Sequence, residues 1–255
     1  MICLLSPAKT IDFNNAREVD SATQPVFLRD ASYLADKLRK HSAKNLASMM
    51  SLNPDLANKT KERADAWNAS GHEDGGKPAS MAFQGAVYRG LDAASLSHDD
   101  LAFAQDHLRI ISGLYGILRP LDLMQPYRLE MGLKWPITPK TKNLYQFWED
   151  RLADHVSEAS NGLLVNLASL EYSKAVIRKK SSTDVITPHF KDEVNGEFKS
   201  LMTYAKEARG QMARFIIQKR IQDPSTLKQF TGMGYTFNSK LSTQNEWFFT
   251  RNQKQ

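Results

Sequence analysis

The sequence has little cysteine and no long apolar run, and these two shortages exclude several classes of protein. Its 255 residues include one cysteine, Cys3, which excludes an internal disulfide framework and any zinc or iron–sulfur site built from several cysteines. No apolar run approaches the roughly 18 residues of a membrane-spanning helix, so we expect no membrane partner. Cys3 stands in the apolar run Ile2–Leu5, which predicts that its thiol lies in the core.

The motifs of several enzyme and cofactor classes are also missing. There is no GxxxxGK[ST] loop, no GxGxxG turn and no GxSxG elbow. The sequence therefore gives no support for a P-loop, a dinucleotide-binding site or a hydrolase catalytic triad. The six histidines show neither an HExxH pattern nor pairing at metal-ligand spacing. We therefore predict no metal and no cofactor.

Basic residues exceed acidic ones, and the excess lies in one part of the chain. The formal charge is +6. Residues 1–100 carry 12 basic and 13 acidic side chains, residues 101–160 carry 7 of each, and residues 161–255 carry 15 basic and 8 acidic. A basic region on a neutral body favours a polyanionic partner or an anionic substrate. A lysine-rich, solvated surface is the structural alternative.

The pattern of apolar residues predicts a mixed fold. Strands are predicted over residues 1–6, 81–85, 163–167, 184–191, 197–203, 235–237 and 247–249, and helices over residues 26–49, 55–68, 99–108, 144–159 and 204–221. Residues 108–112 fit either the end of a helix or a buried strand. Asn195-Gly196 between two strand-like runs predicts a hairpin. The order of elements predicts one α+β domain over residues 1–255, with a central mixed sheet surrounded by helices.

The first apolar run also bears on location. Pro7 ends it after six residues, whereas a secretory leader needs a basic start and a longer apolar stretch. We therefore expect a cytoplasmic protein.

The start of the last long predicted helix is the clearest candidate anion site. Lys206 and Arg209 fall in its first turns, where cations oppose the helix dipole and free backbone N–H groups attract an anion. Gly210 nearby leaves room for close approach. The structural alternative is that Glu207 or a distant acid neutralises the two cations. The preceding basic run, with Lys179 and Lys180, either binds an anion or faces solvent.

Residues 108–132 combine a glycine turn with arginines. The turn Gly113–Gly116 offers backbone amides to a phosphate, and its tyrosine offers a face on which a base could stack. The structural alternative pairs the arginines with Asp122 and Glu130. The candidate phosphate-site residues of this block are Arg109, Tyr115, Arg119 and Arg128.

Polar side chains follow several predicted strands, and this pattern supports a different function. In α/β folds ligands sit at the carboxyl ends of strands, and a cleft that holds lysine, glutamate and arginine there has acid/base capacity. The alternative prediction is therefore an enzyme acting on a nucleotide or nucleobase. Its pocket residues would be Lys9, Arg89, Asn166, Ser169, Glu171 and Lys206.

Residues 44–66 have the outline of a helix-hairpin-helix, a motif that grips DNA phosphates through hairpin amides. Two predicted helices are joined by the very short turn Leu52–Asp55, but the usual hairpin glycines are missing. A plain pair of antiparallel helices is the alternative.

Several segments together resemble the YaaA family of peroxide stress response proteins. They are Ser6–Thr10, Ala82–Gly85 with Val87-Tyr88, Leu108–Gly132, Asn166–Ser169 with Glu171-Tyr172, and Ala205-Lys206 with Ala208–Gly210. The resemblance extends from residue 2 to about residue 250. It implies a cytoplasmic bacterial protein that limits damage when peroxide and free iron meet, and a single compact mixed α/β fold.

The resemblance also implies a basic cleft and a helix-hairpin-helix element, and hence binding to DNA. Two segments are candidates for the helix-hairpin-helix element. Residues 44–66 have its two predicted helices, and residues 108–124 have the glycines of its hairpin. Contacts mainly to phosphates would make the binding mostly independent of DNA sequence. The predicted DNA- or anion-binding residues are Lys9, Arg89, Arg109, Tyr115, Arg119, Arg128, Lys179, Lys180, Lys206 and Arg209.

Overall fold

The computed structural model describes residues 1–14, 21–71, 75–178 and 183–252. The strands are β1 (Ile2–Leu5), β2 (Lys77–Pro78), β3 (Leu108–Ser112), β4 (Gly116–Leu118), β5 (Leu123–Met124), β6 (Leu163–Asn166), β7 (Asp184–Val194), β8 (Glu197–Lys199), β9 (Thr236–Phe237) and β10 (Glu246–Asn252). The helices are α1 (Leu28–Arg39), α2 (Ala43–Met50), α3 (Pro54–Ala66), α4 (Ala79–Ala82), α5 (Ala86–Leu91), α6 (His98–His107), α7 (Leu144–Trp148), α8 (Arg151–Ala159), α9 (Leu170–Ser173) and α10 (Met202–Gln218). No helix of these ranges is long and apolar enough to cross a membrane.

A mixed sheet lies at the centre of the described residues. Its strand order is β4-β3-β1-β6-β7-β10-β9, and β8 pairs with β7 outside this path. The five consecutive strands of this row from β3 to β10 run parallel to one another. The outer strands β4, β8 and β9 are antiparallel to their partners. The predicted α+β class and central mixed sheet are confirmed.

Strand β1 lies inside the parallel part of the sheet, between β3 and β6, and every one of its residues is apolar. A parallel strand covered on both faces needs a continuous apolar run rather than an alternating one. All four residues of β1 are buried, and Cys3 is only 2% exposed. The prediction that its thiol lies in the core is confirmed.

The hairpin predicted at Asn195-Gly196 is present. Strands β7 and β8 are antiparallel, and the two turn residues have φ angles of 54° and 79°. A two-residue hairpin turn of this kind needs positive φ at both positions, which asparagine and glycine tolerate best.

Four predicted elements differ from the structure or were left undecided. The strand predicted over residues 197–203 ends at Lys199, and Met202 and Thr203 already belong to α10. Residues 81–85 are not a strand: Ala79–Ala82 form the short helix α4, and Phe83 makes an isolated bridge with Ile11. Residues 144–159 form two helices, α7 and α8, because Glu149 between them has a φ of 46°, which no α-helix accommodates. Residues 108–112 form strand β3.

Helices α5 and α10 cross with their backbones in direct contact. A Cβ atom on Gly210 would lie 1.8 Å from the Val87 carbonyl oxygen, and one on Gly90 would lie 2.1 Å from the Glu207 carbonyl oxygen. Only glycine fits at either position. The crossing fixes the short helix α5 against the long helix α10 and so positions the charged side chains that both helices carry.

Candidate functional site

Lys206 and Arg209 lie on α10 and have no acidic partner within the described residues. The Lys206 side chain is exposed and that of Arg209 is half-buried. Glu207 pairs instead with Arg89 of α5, with 3.3 Å between Nη2 and Oε2. The alternative prediction that Glu207 neutralises these two cations is therefore wrong.

The charge of Arg209 is partly buried, which makes the binding of an anion there favourable. Burial lowers the pKa of its guanidinium from the ordinary arginine value. A half-buried cation without a counter-charge loses hydration and gains no Coulomb energy in return. An anion that binds at Arg209 would supply the missing partner.

The helix end itself contributes less than predicted. Helix α10 begins at Met202, two residues before its predicted start. Lys206 and Arg209 consequently lie beyond the first turn, and the helix dipole acts mainly within that turn. The two side-chain charges, rather than free N–H groups, are what this site offers to an anion.

The glycine turn of the central block lies inside the protein. Residues 113–116 are all buried, and Tyr115 is fully buried, with its hydroxyl accepting a hydrogen bond from Trp67 Nε1 at 2.8 Å and one from the Gln125 amide at 2.9 Å. No base can stack on Tyr115 and no phosphate can reach the turn. The prediction of a phosphate site there is wrong because the turn is packed in the core.

The three arginines of this block are engaged with protein groups. Arg109 is 7% exposed and donates to the carbonyls of Gln105 and Leu108. The other two follow the structural alternative. Their ion pairs are Arg119 Nη2 with Asp122 Oδ1 at 3.1 Å and Arg128 Nη2 with Glu130 Oε1 at 3.2 Å.

Of the two segments considered for the helix-hairpin-helix, only residues 44–66 are helical. Residues 108–124 form strands β3, β4 and β5, which corrects the alternative placement. Helices α2 and α3 are joined by a turn in which Ser51 has a φ of 53° and Asn53 caps α3 through the Leu56 amide at 2.9 Å. Pro54 is the first residue of α3, a position at which proline costs nothing. The outline of two helices and a short turn is confirmed.

The carboxyl ends of β1 and β6 meet at one edge of the sheet, as expected for parallel neighbours. The Ser169 amide donates to Ser6 Oγ at 2.8 Å, and the Tyr88 hydroxyl donates to the Ser6 carbonyl at 3.0 Å. Lys9 pairs with Glu130 at 2.8 Å. We call this place the strand-edge site.

The predicted pocket residues divide between the strand-edge site and the helix crossing. Glu171 lies at the strand edge, where its Oε1 accepts a hydrogen bond from the Gly132 amide at 2.8 Å. Asn166 has a local role, since its Oδ1 accepts from the Ala168 amide at 3.1 Å. Arg89 and Lys206 lie on α5 and α10. Lys179 and Lys180 lie outside the described residues.

The sequence interpretation missed Arg63. This half-buried residue of α3 lines a small hollow together with Arg128 and Tyr127. No ion pair of its side chain is present within the described residues. Residues 63 and 128 are distant in the chain and no spacing connects them, so only the fold brings the two arginines to one hollow.

A family model and several known proteins each match nearly the whole chain. A family model described as "Peroxide stress protein YaaA" matches residues 1–241. A UPF0246 protein of Burkholderia lata is 45% identical over 98% of this chain and 98% of its own. A UPF0246 protein of Idiomarina loihiensis is also 45% identical, with the same coverage of both chains. One from Hahella chejuensis is 45% identical and covers 98% of this chain and 99% of its own.

Proposed function

The chain belongs to the YaaA family of peroxide stress proteins, and from this premise we propose that it protects the cell against peroxide by binding DNA in the cytoplasm. The observation that carries the proposal is the pair of cations on α10. Arg209 is half-buried and, like Lys206, lacks an acidic partner within the described part of the chain. A DNA phosphate is an anion of the right size and charge to complete this site.

The charge of the rest of the chain supports the same partner. The net charge of +7 over residues 161–255 would draw a polyanion toward the face that carries α10. Contacts to phosphates carry no sequence information, so sequence preference should be weak. The protein would bind along the sugar–phosphate backbone, in a basic cleft to which the turn between α2 and α3 contributes backbone amides.

The salt dependence of DNA binding tests the proposal. Each phosphate contact releases counterions, so the affinity for a short labelled duplex should fall steeply as salt rises from roughly 50 to 200 mM. In the double variant Lys206→Gln/Arg209→Gln, affinity should drop, and the slope of log K against log salt should decrease by up to about two. Fluorescence anisotropy at several salt concentrations measures both quantities.

A matched control removes two charges elsewhere in the same basic region. Lys219 and Lys240 are both exposed, and Lys219→Gln/Lys240→Gln should leave the slope nearly unchanged. The thermal stability of Lys206→Gln/Arg209→Gln should hold or rise, because no carboxylate loses its partner. A destabilised double variant with unchanged DNA affinity would contradict the assignment.

A second candidate function is an enzyme acting on a nucleotide or nucleobase at the strand-edge site. The specific observation in its favour is that Lys9 and Glu130 meet there as an ion pair, next to the Glu171 carboxylate. These groups can hold or move a proton. Loss of a nucleotide substrate, or release of a base, on incubation with the purified protein would distinguish this function from binding alone.

A further inference from the structure

A cleft of about 390 Å³ opens beside the strand-edge site, and its walls carry both charged and apolar side chains. This volume lies in the range of small-molecule sites, which are mostly apolar with a few fixed polar groups. The end of α2, the segment that follows residue 129, and α9 contribute the lining residues. They are Met49, Met50, Ser51, Glu130, Gly132, Leu133, Lys134 and Glu171.

One of the two carboxylates of this cleft is already neutralised within the protein. The oxygens of Glu130 are divided between Lys9, with Nζ at 2.8 Å, and Arg128, with Nη2 at 3.2 Å. The unpaired charges that a ligand meets in the cleft are therefore those of Glu171 and Lys134. In this whole group the three cations outnumber the two carboxylates by one, so the net charge does not oppose a carboxylate of the ligand.

The Glu171 carboxylate is held in a fixed position without a counter-charge. The residue is half-buried, and its Oε1 accepts a hydrogen bond from the Gly132 amide at 2.8 Å. A Cβ atom on Gly132 would lie 3.0 Å from the same oxygen, so the carboxylate rests against the backbone there. It has no ion pair within the described residues. Because a carboxylate accepts hydrogen bonds and donates none, this place favours a cationic group with N–H donors.

The Lys134 ammonium provides the opposite charge in the same cleft. Its side chain is exposed and forms no ion pair in the part of the chain that the structure describes. Lys134 follows Gly132 by two residues, so their Cα atoms are at most about 7.6 Å apart. Since the Gly132 amide binds Glu171, a small ligand can reach both Glu171 and Lys134 at once.

We propose that this cleft binds the zwitterion of an α-amino acid with an apolar side chain. The ligand's ammonium donates hydrogen bonds to Glu171, and its carboxylate pairs with Lys134. Its side chain lies against Met49, Met50 and Leu133, and methionine adapts to apolar ligands of irregular shape. The proposal goes beyond DNA binding through α10 and does not rest on it. It also assigns the cleft a different class of ligand from the second candidate function.

Isothermal titration calorimetry with L-leucine tests the site directly. We expect saturable binding of L-leucine and weaker binding of three analogues, each of which lacks one feature of the ligand. Leucinamide lacks the carboxylate, isocaproate lacks the ammonium, and glycine lacks the apolar side chain. The dipeptide leucyl-leucine carries the same two charges farther apart, so it should also bind more weakly than L-leucine.

Two variants assign each end of the ligand to its residue. Glu171→Gln should weaken the binding of L-leucine about tenfold or more, because a charge-assisted contact is lost, and should leave isocaproate binding unchanged. Lys134→Gln should weaken the binding of L-leucine and leave leucinamide binding unchanged. Lys140 is exposed and does not line the cleft, so Lys140→Gln is the control and should bind L-leucine as the wild type does.

Three outcomes would overturn the proposal. They are no saturable binding of L-leucine by the wild type, equal binding by Lys134→Gln, whose exposed position leaves the fold intact, and tighter binding of leucyl-leucine than of L-leucine. Binding of guanosine monophosphate without binding of L-leucine would assign the cleft to the second candidate function instead. Duplex binding through α10 would survive each of these results, so the two proposals fail separately.

Discussion

Replacement of Gly210 by alanine tests the crossing of α5 over α10, on which the position of the α10 cations depends. In an ordinary helix interior this change stabilises a protein by about 1 kcal/mol. Here the added Cβ would lie 1.8 Å from the Val87 carbonyl oxygen, whereas real Cβ atoms keep 3.0 Å or more. The obstacle is backbone, and Gly90 makes the other side of the crossing equally tight, so the two helices must move apart.

The size of the effect follows from two opposing contributions. Overpacking of a tight contact costs about 3 kcal/mol at the upper end of the usual range, and the gain in helix propensity offsets about 1 kcal/mol of it. The net loss of about 2 kcal/mol corresponds to a melting temperature lower by about 4–8 °C for a protein of this size. The ion pair between Arg89 and Glu207 bridges the crossing and should be lost with it.

Thermal and urea denaturation measure the loss, and the same helix provides a control. Gln218 is exposed at the end of α10, so Gln218→Ala should change the free energy of unfolding by less than about 0.5 kcal/mol. A Gly210→Ala variant at least as stable as the wild type would refute the reasoning, because it would mean that the backbones are not in contact.

Three further changes test other parts of the structure. Burial raises the pKa of the Cys3 thiol, so a disulfide reagent should react with Cys3 only after the protein unfolds. Rapid reaction of the native protein would contradict this prediction. The variant Cys3→Ala should protect cells as the wild type does. Burial lowers the pKa of His155, so the unfolded state binds its proton more tightly. Its contribution to stability should be complete above about pH 6.5 and decline as the pH falls below that value. His155→Gln should make urea denaturation differ less between about pH 7 and pH 5.5, and an unchanged difference would exclude this origin. Asp192 is fully buried and bonds Arg251 Nε at 2.5 Å, so Asp192→Ala should lower the free energy of unfolding by about 3–5 kcal/mol; a loss below about 1 kcal/mol would show that Arg251 finds another partner.

Local signals predicted the parts of the fold that local chemistry determines. The apolar run of β1 and the positive-φ turn at Asn195-Gly196 needed no knowledge of distant residues. The wrong predictions concern elements that depend on distant residues or on a backbone angle that the sequence does not reveal. Phe83 lies in an apolar stretch with strand-like composition, but within the described residues its strand-like pairing is limited to an isolated bridge with Ile11. The break at Glu149 could not be predicted, since glutamate is a good helix former.

The candidate sites were less predictable than the fold. A cation is recognisable in a sequence, but its partner is not. The sequence predicts the same anion-binding role for Arg119 and Arg209. In the structure Arg119 pairs with a buried aspartate, whereas Arg209 has no acidic partner within the described residues. Arg63 carried no sequence signal at all, because only the folded chain places it in one hollow with Arg128.

Peroxide survival of cells that carry the α10 variant tests the central claim most directly. Bacteria that lack the protein would receive the wild type, Lys206→Gln/Arg209→Gln or the control Lys219→Gln/Lys240→Gln at equal protein levels. If binding of DNA phosphates is the basis of protection, the α10 variant should leave cells about as sensitive to peroxide as no protein does, while the control restores survival. Full protection by an α10 variant that no longer binds DNA would contradict the account.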